Sequence, residues 1–459
     1  MKKLNILIVA FVLFQIGSVN AQYTVLLNFD SANGAVPEGQ LTFVGNMLYG
    51  MTTGNPPSGT GNIFSIDTNG NSAKNRFTFN GTDGQDPFNT LILSGNKLYG
   101  MVNNGGANGY GCIFSIDTNG SGFKDLFDFN STNGAYPFGQ LTLLGKKLYG
   151  MTSGIFPLDG NIFSIDTDGT GYKDIFDFNG TNGAAPYGSL TFFGNKFYGM
   201  TYGGGVNQYG NIFSIDTSGL GFKDLFDFNG TDGSFTYGSL ILIGSKLYGT
   251  TESGGVNNDG TVFVIDTNGT GFRDIFVFNG TNGSGPIGTL AYSKGELFGV
   301  TDQGTLNIYG NIYSLDTDGT GYKDLHDFND IAGEYPARGV VLSGNTLYGM
   351  TSGGGTDSLG VVFKLNYVAA GMNDLNTNSS SINLFPNPST GQFTLSLSNV
   401  SEKCNVEVYN VLGERVEREK VKGEREEIDL SGQPNGIYLY RVITENGGLV
   451  GEGKVVIEK

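Results

Sequence analysis

The sequence predicts an all-β protein: a seven-bladed β-propeller with four-stranded blades, the N-terminal strand closing the last blade, followed by a small Ig-like β-sandwich. Three observations predict it. Four short motifs recur in a fixed order seven times, each reads as a strand bounded by turn residues, and the first and last copies are incomplete in complementary ways. With 459 residues, 76 of them Gly, no Trp and only 15% charged residues, the chain suits a repeat array or several domains rather than one compact domain or a coiled coil. Its 34 Phe and 23 Tyr supply the apolar area that disordered chains lack. The 26 Lys and Arg against 43 Asp and Glu leave a net charge of −17, which opposes phosphate neutralisation and excludes nucleic acid as an expected partner.

The chain opens with Lys2 and Lys3, an apolar run from Leu4 to Ile16, and the small residues Val19, Asn20 and Ala21. This reads as a signal peptide over residues 1–21, cleaved between Ala21 and Gln22. The run is shorter than the roughly 20 apolar residues of a bilayer span, and no later stretch is apolar enough to span a membrane, so the mature chain is expected to be exported and to carry no transmembrane segment. Only Cys112 and Cys404 are present, in segments assigned to different domains, and two free, mostly buried thiols are expected. Small residues fill the place of Cys112 in other copies of the repeat, which makes it a variant rather than a nucleophile.

Residues 22–367 hold the repeat. The LYG motif begins at Leu48, Leu98, Leu148, Phe197, Leu247, Leu297 and Leu347, at spacings of 50, 50, 49, 50, 50 and 50. IFSID places its aromatic at Phe64, Phe114, Phe163, Phe213, Phe263, Tyr313 and Phe363, and LFDFN places its second aromatic at Phe29, Phe79, Phe129, Phe178, Phe228, Phe278 and Phe328. LTLLG precedes each LYG. Each motif is an apolar or alternating run rich in β-branched and aromatic residues, a strand of about five residues, and the intervening Asn-Gly and Gly-Asn pairs suit tight hairpins. Pro37, Pro87, Pro137, Pro186, Pro286 and Pro336 stand before the LTLLG strand, with Thr236 as the exception.

The array begins in mid-unit with a third-motif strand, Tyr23 to Asp30, and stops after a second-motif strand, Val361 to Tyr367. A ring uses this arrangement: the first strand completes the last sheet and removes two exposed edges. An open array would instead call for polar caps. The unit from Gly254 to Thr301, GGVNNDGTVFVIDTNGTGFRDIFVFNGTNGSGPIGTLAYSKGELFGVT, resembles the GloVer tandem repeat of exported bacterial proteins, and the resemblance covers all the units without implying an activity. The Gly-rich stretch after LYG is also similar to a kelch blade, although the Trp of kelch is absent.

Candidate chemistry is sparse. Asp67, Asp117, Asp166, Asp216, Asp266 and Asp316 follow IFSI in turns of the DTNG type. Asp166, Asp168 and Asp174 together offer part of an oxygen cage for Ca²⁺, while each Asp equally suits the capping of its own turn. The stretch SIDTNGTGF is similar to the Asp-box of sialidase propellers, itself a folding device, but is longer by one residue and lacks Trp. The single histidine, His326, aligns with Phe77, Phe127, Phe176, Phe226 and Phe276, a packing position. No catalytic residue is assigned. The Gly-rich segments Gly203 to Gly205 and Gly353 to Gly355 lack the GK[ST] ending of a phosphate loop. Sequence variation concentrates in the loops Asn55 to Ser58, Ile155 to Asp159, Val206 to Tyr209 and Leu306 to Tyr309. Loops on a rigid scaffold carry specificity, so Tyr110, Tyr202, Tyr209 and Tyr309 are the expected contacts to a glycan or a protein.

Residues 368–381, rich in Asn, Ser and Thr, read as a linker, and residues 382–459 as a separate module with strand-like runs at Phe393 to Ser398, Asn405 to Asn410, Glu426 to Leu430, Ile437 to Thr444 and Gly453 to Ile457. FPNPSTGQFTLSL (Phe385 to Leu397), VEVYNVLGERV (Val406 to Val416) and IDLSGQPNGIYLYRV (Ile428 to Val442) resemble the type A C-terminal sorting domain of the type IX secretion system. The motif positions are Pro386, Asn387, Pro388, Gly391, Gly413 and Gly436. The resemblance implies a Bacteroidota-type Gram-negative source, recognition by the secretion machinery, removal by a sortase-like peptidase, and release or attachment at the cell surface. The expectation is a non-enzymatic surface or secreted propeller that binds glycan or protein. The alternatives are a carbohydrate-active enzyme using acidic residues near the channel, or a purely structural surface component.

Overall fold

Each apolar run of the repeat becomes one strand, because its side chains can be buried only if a neighbouring sheet covers them. The structure, a computed structural model, describes residues 22–54, 59–155, 159–304, 308–367, 382–397, 403–410, 414–421, 423, 425–444 and 449–459. Among these residues every element is a strand, and the chain divides into two compact units, Met1–Val368 and Ala369–Lys459. The expected signal peptide and the expected linker fall outside the described residues.

In the first unit the four motifs form antiparallel sheets in sequence order. The first sheet consists of Thr42–Val44, Met47–Thr52, Asn62–Asp67 and Lys74–Thr78. The pattern recurs, for example as Thr191–Phe193, Lys196–Met200, Asn211–Asp216 and Lys223–Asp227. The IFSID strand is buried on both faces, which explains a near-continuous apolar run where a half-exposed strand would alternate. Register explains the glycine of LYG. Gly50 lies opposite Phe64 and Gly199 opposite Phe213, and a Cβ on either glycine would come within 2.7 or 2.5 Å of the ring. The glycine is the space that the phenylalanine occupies.

The sheet containing Val341–Ser343, Thr346–Gly353 and Val361–Asn366 takes its remaining long strand from the start of the chain, Gln22–Asn28. Asn28 pairs with Val361 and Val25 with Phe363, with a bulge between Val25 and Leu27. The other outer strands carry the same irregularity, as between Ile212 and Phe213. The N-terminal strand therefore occupies the place that an internal strand holds elsewhere.

Neighbouring sheets share cores. Tyr49, Met51, Ile63 and Phe79 of one sheet pack with Leu98, Phe114 and Ile116 of the next. Phe29, Tyr348, Met350 and Val362 of the closing sheet pack with Leu41, Leu48, Phe64 and Ile66 of the first. Outer strands are joined by stacked rings: Phe77 on Phe123 at 4.1 Å, Phe127 on Tyr172 at 3.9 Å and Phe226 on Phe272 at 3.6 Å. His326 takes this place against Tyr23, at 3.9 Å and 8°. Burial pushes the imidazole down to about 4, so it packs as a neutral ring. The Tyr23 hydroxyl donates to the Ala332 carbonyl.

The second unit has a three-stranded sheet, Ile382–Phe385, Gln392–Leu397 and Arg425–Asp429, and a four-stranded sheet, Arg415–Val421, Cys404–Tyr409, Gly436–Thr444 and Leu449–Ile457. Phe393, Leu395, Ile428 and Leu430 of one share a core with Val406, Val408, Tyr440, Val442 and Val455 of the other. Cys112 in the first unit and Cys404 in the second are free and buried.

Ring closure has a measurable signature. Phe29→Ala at the closing sheet and Phe228→Ala in the middle of the array should each cost about 3–5 kcal/mol in urea denaturation, since both rings are fully buried. A clearly smaller loss for Phe29→Ala would mean that the first strand is a frayed end.

Candidate ligand site at the channel mouth

The segments that follow the conserved prolines converge where the sheets meet. Successive units place Gly39, Asn89, Gly139, Gly188, Gly238, Gly288 and Arg338 at the same point of the repeat. A Cβ on Gly139 would sit 2.2 Å from the Gly188 carbonyl oxygen, and one on Gly238 would sit 2.1 Å from that of Gly288. Only glycine allows backbones to approach this closely. The next residue ties the sheets together: Thr90 Oγ1 accepts from the Gln40 amide at 2.9 Å, Ser189 Oγ from Gln140 at 2.6 Å, Ser239 Oγ from Ser189 at 2.8 Å and Thr289 Oγ1 from Ser239 at 3.1 Å. Around this belt lies a cavity of about 180 Å³, reached by Gln40, Gln140 and Arg338.

The residue before each proline, or before Thr236 in the unit that lacks it, adopts a left-handed conformation, φ 54° at Val36, 60° at Phe235 and 55° at Tyr335. Its amide donates to the tip of the preceding sheet, Phe235 to the Tyr209 carbonyl at 3.3 Å and Tyr335 to that of Tyr309 at 3.0 Å. These bonds hold an unfavourable backbone state and orient the loops around the mouth.

Symmetry breaks in charge at this mouth. Arg338 replaces a hub glycine, and its guanidinium lies 5.6 Å from the Phe138 ring centroid and 5.9 Å from that of Tyr237. Its Nε is enclosed and has no hydrogen-bond partner. Glu38 takes the place that Phe88, Phe138, Tyr187 and Tyr237 hold in other units, while Glu252 and Asp302 occupy the position of Thr53 and Ser352. Burial pushes the carboxyls of Glu38, Glu252 and Asp302 upward; at Glu38 the Arg338 charge partly opposes this and Asp302 adds to it. Glu38, Glu252, Asp302, Tyr237, Tyr335 and Arg338 border a cavity of about 250 Å³. An aromatic arc adjoins them, with Phe138 to Tyr187 at 4.7 Å, Tyr187 stacked on Tyr237 at 5.3 Å and Tyr202 against Tyr237 at 4.9 Å.

Of the tyrosines singled out in the sequence, Tyr202 joins this arc. Tyr110, Tyr209 and Tyr309 lie in loops of separate units, beside Tyr136 at 6.0 Å, Phe235 at 6.0 Å and Tyr335 at 6.1 Å, the residues before Pro137, Thr236 and Pro336. They ring the face rather than form one cluster, and Tyr209 is the exposed one. Of the variable loops, Asn55 to Ser58 and residues 156–158 and 305–307 lie outside the described residues.

The acidic residues proposed for Ca²⁺ are each engaged locally. Asp166 pairs with Lys147 at 2.9 Å, Asp168 accepts from the Thr170 amide at 2.9 Å and its hydroxyl at 2.7 Å, and Asp174 sits on the outer strand opposite Phe163. Among the described residues, the one group of three or more His, Cys, Asp or Glu with ligand atoms within 4.8 Å is Cys112, Asp125 and Asp128. Asp128 is already used: it accepts the Ala107 amide at 2.7 Å and so shapes the Gly-rich loop, as Asp227 does with Val206 at 2.9 Å. Burial, with Asp125, Asp128 and Asp83 adding, raises the Cys112 thiol, so the group favours a protonated thiol over a thiolate ligand.

In the second unit Asn387, between Pro386 and Pro388, accepts the Val456 amide at 2.8 Å and donates to the Lys454 carbonyl at 3.0 Å. Gly391, at φ 115°, has its Cα facing Ser431, where a Cβ would stand 2.7 Å from the Ser431 Cα. Gly436 begins a strand of the four-stranded sheet. Gln22 begins the closing strand, while Ala21 and Gly413 lie outside the described residues.

Comparison with known families matches residues 11–158, 153–266 and 244–387 to the Gloeobacter/Verrucomicrobia repeat, and residues 383–458 to the secretion system C-terminal sorting domain. The chain belongs to the Gloeobacter/Verrucomicrobia repeat family. No curated protein matches its sequence. Among solved structures it is similar to PorZ, an essential surface component of the type IX secretion system of Porphyromonas gingivalis, at TM-score 0.50 and 12% identity over 93% of this chain and 60% of that one. This chain thus spans about three fifths of the length of PorZ. An oligogalacturonate lyase in complex with manganese is similar at TM-score 0.52 and 11% identity, over 77% of this chain and 95% of that one. A fungal alcohol oxidase of the AA5 family in complex with copper is similar at 0.51 and 11%, over 96% and 100%. At these identities the likeness is one of fold. The chain is a secreted or cell-surface β-propeller protein of a Gram-negative bacterium, carrying the type IX sorting domain. Among the described residues no helix is long and apolar enough to cross a membrane.

Glu38, Glu252, Asp302 and Arg338 were not singled out by motif reading. Their signal is a departure from the repeat: a charge where the other copies carry an aromatic, a hydroxyl or a glycine.

The outer-strand acids make a pH prediction. Burial, with Asp227 adding, pushes Asp224 up to about 6, and burial pushes Asp274 up to about 6. A carboxyl raised above its unfolded value near 3.9 contributes stability that is full below about pH 4 and lost as pH rises through about 6. The Asp224→Asn/Asp274→Asn variant should therefore gain Tm relative to the parent chain between pH 4 and pH 7, followed by circular dichroism. A Tm difference that does not change with pH would contradict the burial argument.

Proposed function

We propose that this chain is a seven-bladed β-propeller, delivered to the cell surface by its C-terminal domain, which recognises a glycan or protein ligand through the face that bears the variable loops and the channel mouth. The observation that carries the reading is the contrast between a nearly invariant scaffold and a mouth where Glu38, Glu252, Asp302 and Arg338 depart from the repeat together. Symmetric packing needs none of these charges. The tail is read as an Ig-like sandwich that the secretion machinery recognises and a sortase-like peptidase removes, and residues 1–21 as the signal peptide that precedes export.

One observation favours a second reading. Three carboxyls raised by burial in one cavity suit acid and base roles, so hydrolysis or elimination of a bound polysaccharide is the alternative to binding alone.

Two measurements separate these outcomes. The full chain on glycan and protein arrays should give a restricted set of positives, and the same ligands incubated with the protein should be recovered uncleaved. Blank arrays would overturn the binding reading, and cleavage lost in Glu252→Gln or Asp302→Asn would replace it by the enzymatic one. Deletion of residues 383–458 should abolish surface display and retain the propeller in the periplasm, scored by surface labelling of intact cells.

A further inference from the structure

The geometry points to the channel mouth as a binding site for the terminal unit of a neutral carbohydrate, with Arg338 as donor, Glu38, Glu252 and Asp302 as acceptors, and the Tyr237 ring as the apolar wall. This assignment rests on the ligand-recognition reading above and names the ligand class for it. Four observations converge.

The first is an unmet donor set. No hydrogen bond or ion pair is made by the Arg338 side chain among the described residues, and its enclosed Nε is left without a partner. Glu38 influences it through space without an ion pair. Desolvating a guanidinium without full compensation is costly, and the nearby rings of Phe138 and Tyr237 offset only part of that cost. Polar groups of a ligand in the cavity that Arg338 borders would supply partners to the rest of the guanidinium.

The second is the sign of the surroundings. One guanidinium and three carboxylates border the cavity, so the mouth is net negative when all are ionised. An anionic ligand meets Arg338 but is repelled by Glu38, Glu252 and Asp302. A simple cation satisfies the carboxylates and leaves the Arg338 donors unmet. A hydroxyl donates and accepts at once, so a polyol satisfies both sides without adding charge.

The third excludes a metal ion. Glu38, Glu252 and Asp302 do not gather their oxygens within 4.8 Å of one another, and a guanidinium among them opposes a second cation.

The fourth is shape. The Tyr237 ring and Ile287 border the cavity beside the carboxylates, and Tyr187 backs the Tyr237 ring at 5.3 Å and 6°, so an apolar surface adjoins the acceptors. A pyranose has such a division: an apolar face of C–H bonds and a rim of hydroxyls. At about 250 Å³ the cavity is below the roughly 300 Å³ where pockets for drug-sized ligands begin, so it suits an end residue rather than a chain threaded through the ring.

Isothermal titration of the full chain tests this with a neutral panel of cello-, manno- and galacto-oligosaccharides, and with digalacturonate, glycine and lysine as charged probes. At least one neutral oligosaccharide should bind, and the charged probes should bind more weakly or not at all. Glu252→Gln and Asp302→Asn each keep the side-chain shape while removing the charge. Each should weaken the neutral ligand about tenfold or more, as loss of a charge-assisted hydrogen bond does, with Tm no lower than that of the parent. Tighter binding of digalacturonate or of an amino acid than of every neutral sugar overturns the ligand class. A neutral-sugar affinity that survives both substitutions but disappears in Tyr110→Ala or Tyr309→Ala moves the ligand to the outer loops, so that the broader reading stands and this one falls. No binding by any sugar overturns this assignment, and a positive on the protein array then decides separately whether ligand recognition survives.

Discussion

The pairing of Gln22–Asn28 with Val361–Asn366 is the constraint on which the rest of the propeller depends. Each internal sheet presents apolar side chains to both neighbours, so an array of such sheets has two sticky ends unless they meet. Here the ends meet within one sheet, and the sharing of a core by Phe29, Tyr348, Leu41 and Phe64 shows the closing sheet and the first sheet acting as ordinary neighbours. The stacking of Tyr23 on His326 repeats at the junction what Phe77 on Phe123 does within the array. A non-covalent seam of this kind removes the exposed edges that would otherwise template aggregation.

Closure also gives the hub its rigidity. Five units bring a glycine against the carbonyl of the next sheet, and hydroxyls of Thr90, Ser189, Ser239 and Thr289 pass hydrogen bonds from one sheet to the next. A belt held this closely has little freedom to adjust, so a side chain placed there is displayed in a fixed position. Arg338 and Glu38 gain their meaning from that fixity. In a flexible loop the same pair would be solvated; against the hub, burial raises the Glu38 carboxyl and leaves the Arg338 Nε without a partner.

The acidic residues elsewhere illustrate the opposite case. Asp128 and Asp227 cap the Gly-rich loops, Asp216 accepts the Ser218 and Leu220 amides at 2.8 and 3.0 Å, and Asp168 closes its own turn. Recurrence with the repeat marks such carboxylates as parts of the scaffold. The carboxylates that depart from the repeat, at Glu38, Glu252 and Asp302, are those that the scaffold does not need.

Much of this was legible in the residues alone. A spacing near 50, the glycine of LYG, the aromatic of IFSID and the complementary ends of the array determined strand identity, strand order and the closing partner, because period and burial pattern act locally and repeat without ambiguity. The FPNP motif and the strands that follow it likewise marked a separate sorting module, and the alignment of His326 with phenylalanines marked it as packing. Tertiary structure alone decided which variable positions meet. Tyr202 reaches the mouth while Tyr110, Tyr209 and Tyr309 stay in the loops of separate units. Glu38 and Arg338 stand 300 residues apart in sequence yet face one cavity. The physical reason is that a ring sets the distance between residues by their radius and their sheet, and those depend on closure of the whole chain rather than on any local run of sequence.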